Sequence, residues 1–225
     1  NARLAKSLLE RTGWSARTDL EFVIPDAPYE MPAFTNEIQL QQIGLTQLVE
    51  SGVYDTQGKY REWKAGFERL WEEFHGTAPQ EISAQDRDIW RSTLTYVREL
   101  TQNYGPFEGI AGFCEGAAVA SVALHLQHLG EDLGLKGIKF FIAMSPWRSP
   151  IHERDGLFNK VGGLQLPMLQ IVGDNDMPVF LAEAPHFKRG YEGAMEYRHT
   201  GQHVYPPLTT ALAQKLHQLL MQSEQ

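Results

Sequence analysis

The run from Pro106 to Ala120, reading Pro-Phe-Glu-Gly-Ile-Ala-Gly-Phe-Cys-Glu-Gly-Ala-Ala-Val-Ala, constrains this chain more than any other stretch. Phe107 to Phe113 is a short run with apolar Ile110, Ala111 and Phe113, too short for a helix. Ala117 to Leu129 is rich in Ala, Val and Leu, which suits a buried helix. Between them lies Gly112-Phe113-Cys114-Glu115-Gly116, with glycines two before and two after a nucleophile-type side chain. A strand that turns abruptly into a helix strains its apex residue, and flanking glycines let the neighbouring backbone come close. The apex side chain then stands at the carboxyl edge of the sheet, beside the positive end of the helix. That end is expected to lower a thiol's pKa and to stabilise an oxyanion. The pattern is a nucleophile elbow with Cys114 at its apex. A lone Cys is also readily a small buried hydrophobe. A phosphate-binding turn fits less well, because neither Gly-Lys-Ser/Thr nor Gly-x-Gly-x-x-Gly occurs here.

The 225 residues, 42% of them hydrophobic, suit a single domain over 1–225 with a sizeable core. A formal net charge of -8 gives no reason to expect nucleic acid or an anionic membrane as partner. No apolar run reaches the roughly 18 residues of a membrane span. The single Cys excludes an intrachain disulfide and agrees with a reducing, cytoplasmic setting. The histidines are scattered, without His-x-His or His-Glu-x-x-His, so neither a metal nor another cofactor is expected.

Taken in order, Ala2 to Arg11 reads as a helix with a glycine stop at Gly13. Leu20 to Ile24 reads as a strand ended by Pro25-Asp26-Ala27-Pro28, and Tyr29 to Gly58 as irregular. From Tyr60 to Phe74, Trp63, Phe67, Leu70, Trp71 and Phe74 recur at helical spacing among charged residues. This stripe packs a helix onto the core, or it forms a lid inserted over 46–83 that gives an acyl chain an apolar wall. Ala84 to Asn103 reads as a helix begun by Ser83 and Asp86, with Ile89, Thr93, Val97 and Leu100 on one face. Lys136 to Met144, Leu166 to Val172 and Met195 to His199 read as strands, and Pro207 to Met221 as the last helix. Strands alternating with helices predict an α/β fold with a mostly parallel sheet covered on both faces.

A thiol nucleophile needs a base within hydrogen-bond reach, and the base needs an acid to orient it. The loop after the Leu166 strand carries Asp174 and Asp176, and the loop after the Met195 strand carries His199 and His203. Loops that follow parallel strands open at one sheet edge, so all should meet Cys114 there. Asp176, three residues after Gly173, is favoured as the acid over Asp174, which can instead cap the turn. His203, in a Gly-containing loop, is favoured as the base over His199, the last residue of its strand. His125 and His128 read as core or surface residues of the elbow helix.

Four blocks carry a resemblance to a known family: Phe22-Val23-Ile24-Pro25-Asp26-Ala27-Pro28, Gly105 to Ala118, Leu166 to Asp176, and Gly201-Gln202-His203-Val204-Tyr205-Pro206. They resemble the FSH1-type serine hydrolases, α/β hydrolases whose members include fungal thioesterases that unload polyketide synthases. The resemblance implies Cys114 as nucleophile, Asp176 as acid and His203 as base, with the Glu115 N–H as an oxyanion donor. Trp63, Phe67, Trp71, Phe113 and Trp147 would line the substrate site. The implied partner is an acyl carrier protein or polyketide synthase bearing the acyl thioester, released by hydrolysis or by lactonisation. The family usually has Ser at the elbow; Cys114 fits both a native thiol enzyme and a Ser→Cys variant. The family also opens with a strand ending in Leu-His-Gly, which supplies a second oxyanion donor. That block is not seen before Asn1, and an N-terminal strand is expected upstream. Two rivals remain: a dienelactone-hydrolase-like enzyme, for which Arg148 would bind a substrate carboxylate, and a non-catalytic binding protein of the same fold.

Overall fold

The structure, a computed structural model, describes residues 2–17, 19–42, 45–63, 83–149 and 156–224. Helix α1 (Ala2–Arg11) runs into Gly13 in the left-handed region and a single 3-10 turn at Trp14–Ala16. A two-stranded antiparallel ladder pairs β1 (Tyr29–Pro32) with β2 (Lys59–Glu62), Tyr29 opposite Glu62 and Pro32 opposite Lys59. Two short helices, α2 (Glu37–Gln42) and α3 (Thr46–Glu50), lie between them. Helix α4 (Ala84–Tyr104) opens on a capping box. Ser83 Oγ accepts from the Asp86 N–H, and the Asp86 carboxylate accepts from the Ser83 N–H, so two otherwise unpaired donors are satisfied.

The main sheet follows: β3 (Gly109–Phe113), β4 (Phe140–Met144), β5 (Met168–Gly173) and β6 (Met195–His199), all parallel and in that spatial order. Between the strands run α5 (Glu115–His128), α6 (Leu157–Val161) and α7 (Pro178–Lys188), and the chain ends in α8 (Thr210–Ser223). Strand β4 is buried at every position, as a strand covered on both faces must be. Its period-2 alternation divides the core. Phe141 and Ala143 join Trp90 and Val97 of α4, the buried side of α5, Leu157 and Phe187. Phe140, Ile142 and Met144 instead join Leu9 of α1, Trp14, Leu169, Ile171 and the Leu212, Leu216 and Leu219 stripe of α8. The sheet is therefore sandwiched between two helical layers, the arrangement of an α/β hydrolase.

Two expectations change. Leu20 to Ile24 forms no strand among the described residues. Leu20, Phe22 and Ile24 still pack against the core layer of α8 while Glu21 and Val23 face solvent. The period-2 pattern thus reports burial, and no ladder accompanies it. The helix expected from Tyr60 begins instead as a strand, since Tyr60 and Glu62 lie buried in β2. Alternating Tyr60 and Glu62 turn inward at period 2, and the later aromatics had masked that signal. The rest of that helix, with Phe67 and Trp71, falls outside the described residues, as does most of the 46–83 segment. No described helix is long and apolar enough to cross a membrane.

Candidate active site

Parallel strands bring their carboxyl ends to one edge, and four loops open there, after Phe113, Met144, Gly173 and His199. Cys114 sits between β3 and α5 with φ 53° and ψ -117°, a positive φ that a residue with a Cβ rarely adopts. Its N–H donates to Met144 O at 2.9 Å, and its carbonyl accepts from the Ala117 N–H at 3.0 Å, so both sides of the turn are fastened. Gly112 is required by packing: a Cβ there would lie 2.5 Å from the Ala117 N and Cα atoms. This is the strained strand-to-helix turn of a nucleophile elbow.

Asp176 and His203 are brought together. His203 Nδ1 lies 2.9 Å from Asp176 Oδ1, and both residues are buried. Asp176 accepts two further bonds, from the Met177 N–H to Oδ1 and from Ser145 Oγ to Oδ2, each 2.7 Å. Three contacts on one carboxylate fix its direction. Asp174, by contrast, is half-exposed and pairs with Arg198 at 2.7 Å. His199 ends β6 and accepts the Gly201 N–H on Nδ1 at 3.2 Å, and burial lowers its pKa. The loops that carry Asp176 and His203 are laced together: the Asp174 N–H donates to His199 O, and the Asn175 N–H to Gly201 O.

His203 is held near the Cys114 turn by aromatic contacts. The His203 ring lies 4.2 Å from that of Phe180 and 4.8 Å from that of Phe113, centroid to centroid. Phe180 also belongs to the small apolar cluster of Ala118, Trp147, Met177 and Val179 against which Cys114 packs. Tyr205 stacks on Phe113 at 4.7 Å, and chiefly burial pushes its phenol up to about 12. Trp147 is buried in this cluster, Phe113 lies under His203 and Tyr205, and Trp63 stands at the start of α5.

The thiol departs from expectation. Burial pushes the Cys114 pKa well up, and the Glu115 carboxylate adds to it; the Glu115 N–H opposes, and Asp176 raises it further. The helix terminus acts in the expected direction but is outweighed by desolvation and two neighbouring carboxylates. Cys114 is therefore a protonated thiol at rest.

Sequence reasoning missed Ser145, Phe180 and Tyr205. Ser145 has φ 43°, a second strained turn directly after a strand, and only its place at the end of the β4 run hinted at a role. Phe180 carried no sequence signal, being one apolar residue of a helix. The cation offered for a small-carboxylate substrate, Arg148, is engaged by Glu183 through Nε at 2.7 Å and Nη2 at 3.1 Å.

A family model described as serine hydrolase (FSH1) matches residues 2–215. Over 121 residues the chain is 28% identical to a dihydrofolate reductase of Schizosaccharomyces pombe, covering 52% of this chain and 26% of that protein. Over 115 residues it is 31% identical to Esterase OVCA2 of Bos taurus, covering 50% and 49%. Esterase OVCA2 of Danio rerio aligns over 205 residues at 24% identity, covering 89% and 84%. The chain thus spans half or less of the length of the first two relatives. Among solved structures, Arabidopsis thaliana SOBER1 covers all of this chain and 94% of its own at 13% identity and a TM-score of 0.54, a likeness of fold alone. With its elbow, its paired Asp and His, and a family match running almost end to end, the chain belongs to the serine hydrolase (FSH1) family.

Proposed function

We propose that the chain cleaves an acyl thioester through a covalent acyl-enzyme on Cys114, with His203 as base and Asp176 as its orienting acid. The observation that carries this reading is the buried Asp176–His203 hydrogen bond, set through Phe180 and Phe113 against the strained Cys114 turn. Asp176 on Nδ1 leaves Nε2 of His203 to take the Cys114 proton. The sulfur then bonds to the thioester carbonyl carbon, and the oxyanion forms against the Glu115 N–H. Collapse expels the substrate thiol, which recovers the proton from His203. Water, deprotonated by His203, next attacks the acyl-enzyme and releases a free acid; a hydroxyl on the acyl chain would instead release a lactone. Because the resting thiol is protonated, the base is essential to the first step.

The resemblance to polyketide-unloading enzymes supports an acyl group presented on a carrier protein's pantetheine arm, and the esterase relatives support an acyl bond as target. Trp147, Phe113 and Trp63 provide apolar surface suited to an acyl chain. The small-carboxylate reading has lost its cation, since Arg148 already serves Glu183. Intact mass after incubation with a panel of acyl-pantetheine thioesters tests the proposal. An acyl adduct on Cys114, absent from Cys114→Ala, is the expected result. Neither adduct nor thiol release with any member of the panel would overturn it and leave a non-catalytic binding protein.

A further inference from the structure

Residue 115 follows the nucleophile, and the proposed mechanism uses only its backbone. Its side chain reaches across to the far side of the elbow, where Glu115 Oε2 accepts the Trp63 N–H at 2.8 Å, a contact between residues 52 apart in sequence. The Trp63 carbonyl is bound as well, accepting Thr93 Oγ1 of α4 at 2.9 Å. Both backbone groups of residue 63 are thus clamped, one to each of the two helices beside the site. The indole between them is only half-buried. Its Nε1 and Cδ1 lie 3.4 and 3.7 Å from where a Cβ on Gly116 would stand, so it rests on the bare backbone of the first turn of α5. It also packs against the apolar core layer of α4 and α5, with Tyr96 at 6.4 Å between ring centroids. A flat apolar surface is therefore held in place two residues from the nucleophile.

We infer that the Glu115 carboxylate is a specificity-determining positioning residue: through the Trp63 N–H it seats the Trp63 indole against the start of α5, as the wall along which a long acyl chain lies. The inference rests on the acyl-transfer reading and deepens it by assigning which residue sets chain-length preference. The charge on Glu115 is not needed for the clamp, since a neutral amide oxygen accepts the same N–H. Gln and Ala at this position therefore separate two effects. Glu115→Gln keeps the acceptor and removes the charge, whereas Glu115→Ala removes both.

The experiment measures kcat/KM for a long and a short acyl-pantetheine thioester, so that effects on the chemical step common to both substrates cancel in the ratio. Hydrogen exchange at the Trp63 amide is followed in the same proteins. Glu115→Ala is expected to lower the long-to-short ratio about tenfold, the scale of losing one or two methylene contacts with an apolar wall, and to speed Trp63 exchange. Glu115→Gln should keep both near wild type, and Trp63→Ala should reproduce the lowered ratio. An unchanged ratio in Glu115→Ala, or an equal loss in Glu115→Gln, would overturn the inference with the hydrolase reading intact. No turnover and no acyl-Cys114 in the wild-type protein would sink that reading, and the acyl wall with it.

Discussion

At the level of single residues, the site separates two kinds of effect on one thiol. Cys114 is held protonated chiefly by burial, with the adjacent carboxylates of Glu115 and Asp176 adding to the shift. Removing the Glu115 charge must therefore make the thiolate easier to form. Glu115→Gln is expected to react several-fold faster with iodoacetamide near neutral pH, with its rate–pH curve displaced toward lower pH. His203→Ala should slow the same reaction in the hydrolase reading, because the proton acceptor is lost. In the hydrolase reading, Asp176→Asn should cut kcat by about 10³–10⁴, the scale set by an asparagine in place of a triad acid that misorients the base. Ser145 Oγ on Asp176 Oδ2 serves the same end, and its strained φ shows the fold holding that hydroxyl in place. Spacing after Gly173 favoured Asp176 over Asp174 in the sequence, and Asp176 is the one that meets His203. That Asp174 would be taken by Arg198 was not legible, because ion pairs between loops and strands leave no mark on a single sequence.

At the level of elements, the turn glycines decide how closely the loops approach. A Cβ on Gly173 would lie 2.4 Å from Gln202 O and 2.5 Å from Gly201 O, both in the loop that carries His203. Gly173→Ala is expected to push that loop aside, lowering kcat/KM about a hundredfold or more while a cooperative melting transition persists. Gly112→Ala sets a methyl against the backbone of α5, and should lower stability by at least about 2 kcal/mol in urea titration. The elbow, β4 and β5 could be read in advance because each is a short apolar run closed by turn residues. The Leu20–Ile24 segment has the same alternation without a ladder, since pairing depends on what lies alongside, which no local pattern encodes. The β1–β2 ladder was missed for the converse reason: Pro32 and the charged Lys59, Arg61 and Glu62 hide a strand whose inward residues are only Tyr60 and Glu62.

For the whole molecule, the two helical layers differ in chemistry. The α8 layer is closed by leucines, while the other layer holds polar groups: Tyr191 Oη donates to Ser121 Oγ at 2.7 Å, and His125 Nδ1 meets Ser121 O at 2.8 Å. His125 is fully buried between Phe158 and Tyr191, and burial lowers its pKa to about 4. The unfolded chain takes up this proton near pH 6.5, so stability falls as pH drops from about 6.5 to about 4 and the loss then levels off. The full loss amounts to about 3 kcal/mol. His125→Asn should flatten that part of the stability–pH curve, comparing urea midpoints of variant and wild type at each pH so that carboxylates common to both cancel. The sequence left His125 as either a core or a surface residue of the elbow helix; its burial and its Ser121 and Tyr191 partners depend on packing.

The Trp14 indole N–H donates to Pro206 O at 2.9 Å, and the Leu208 N–H to Thr12 O at 2.8 Å, so the opening turn of the chain braces the stretch just past His203. Contacts between turns and loops open before the strands of a core do. On heating, this brace should loosen ahead of the sheet, and the thermal inactivation curve should lie several degrees below the calorimetric one. Substitutions near residue 14, remote in sequence from every reacting group, would then surface first as heat-sensitive enzymes whose bulk melting point has scarcely changed.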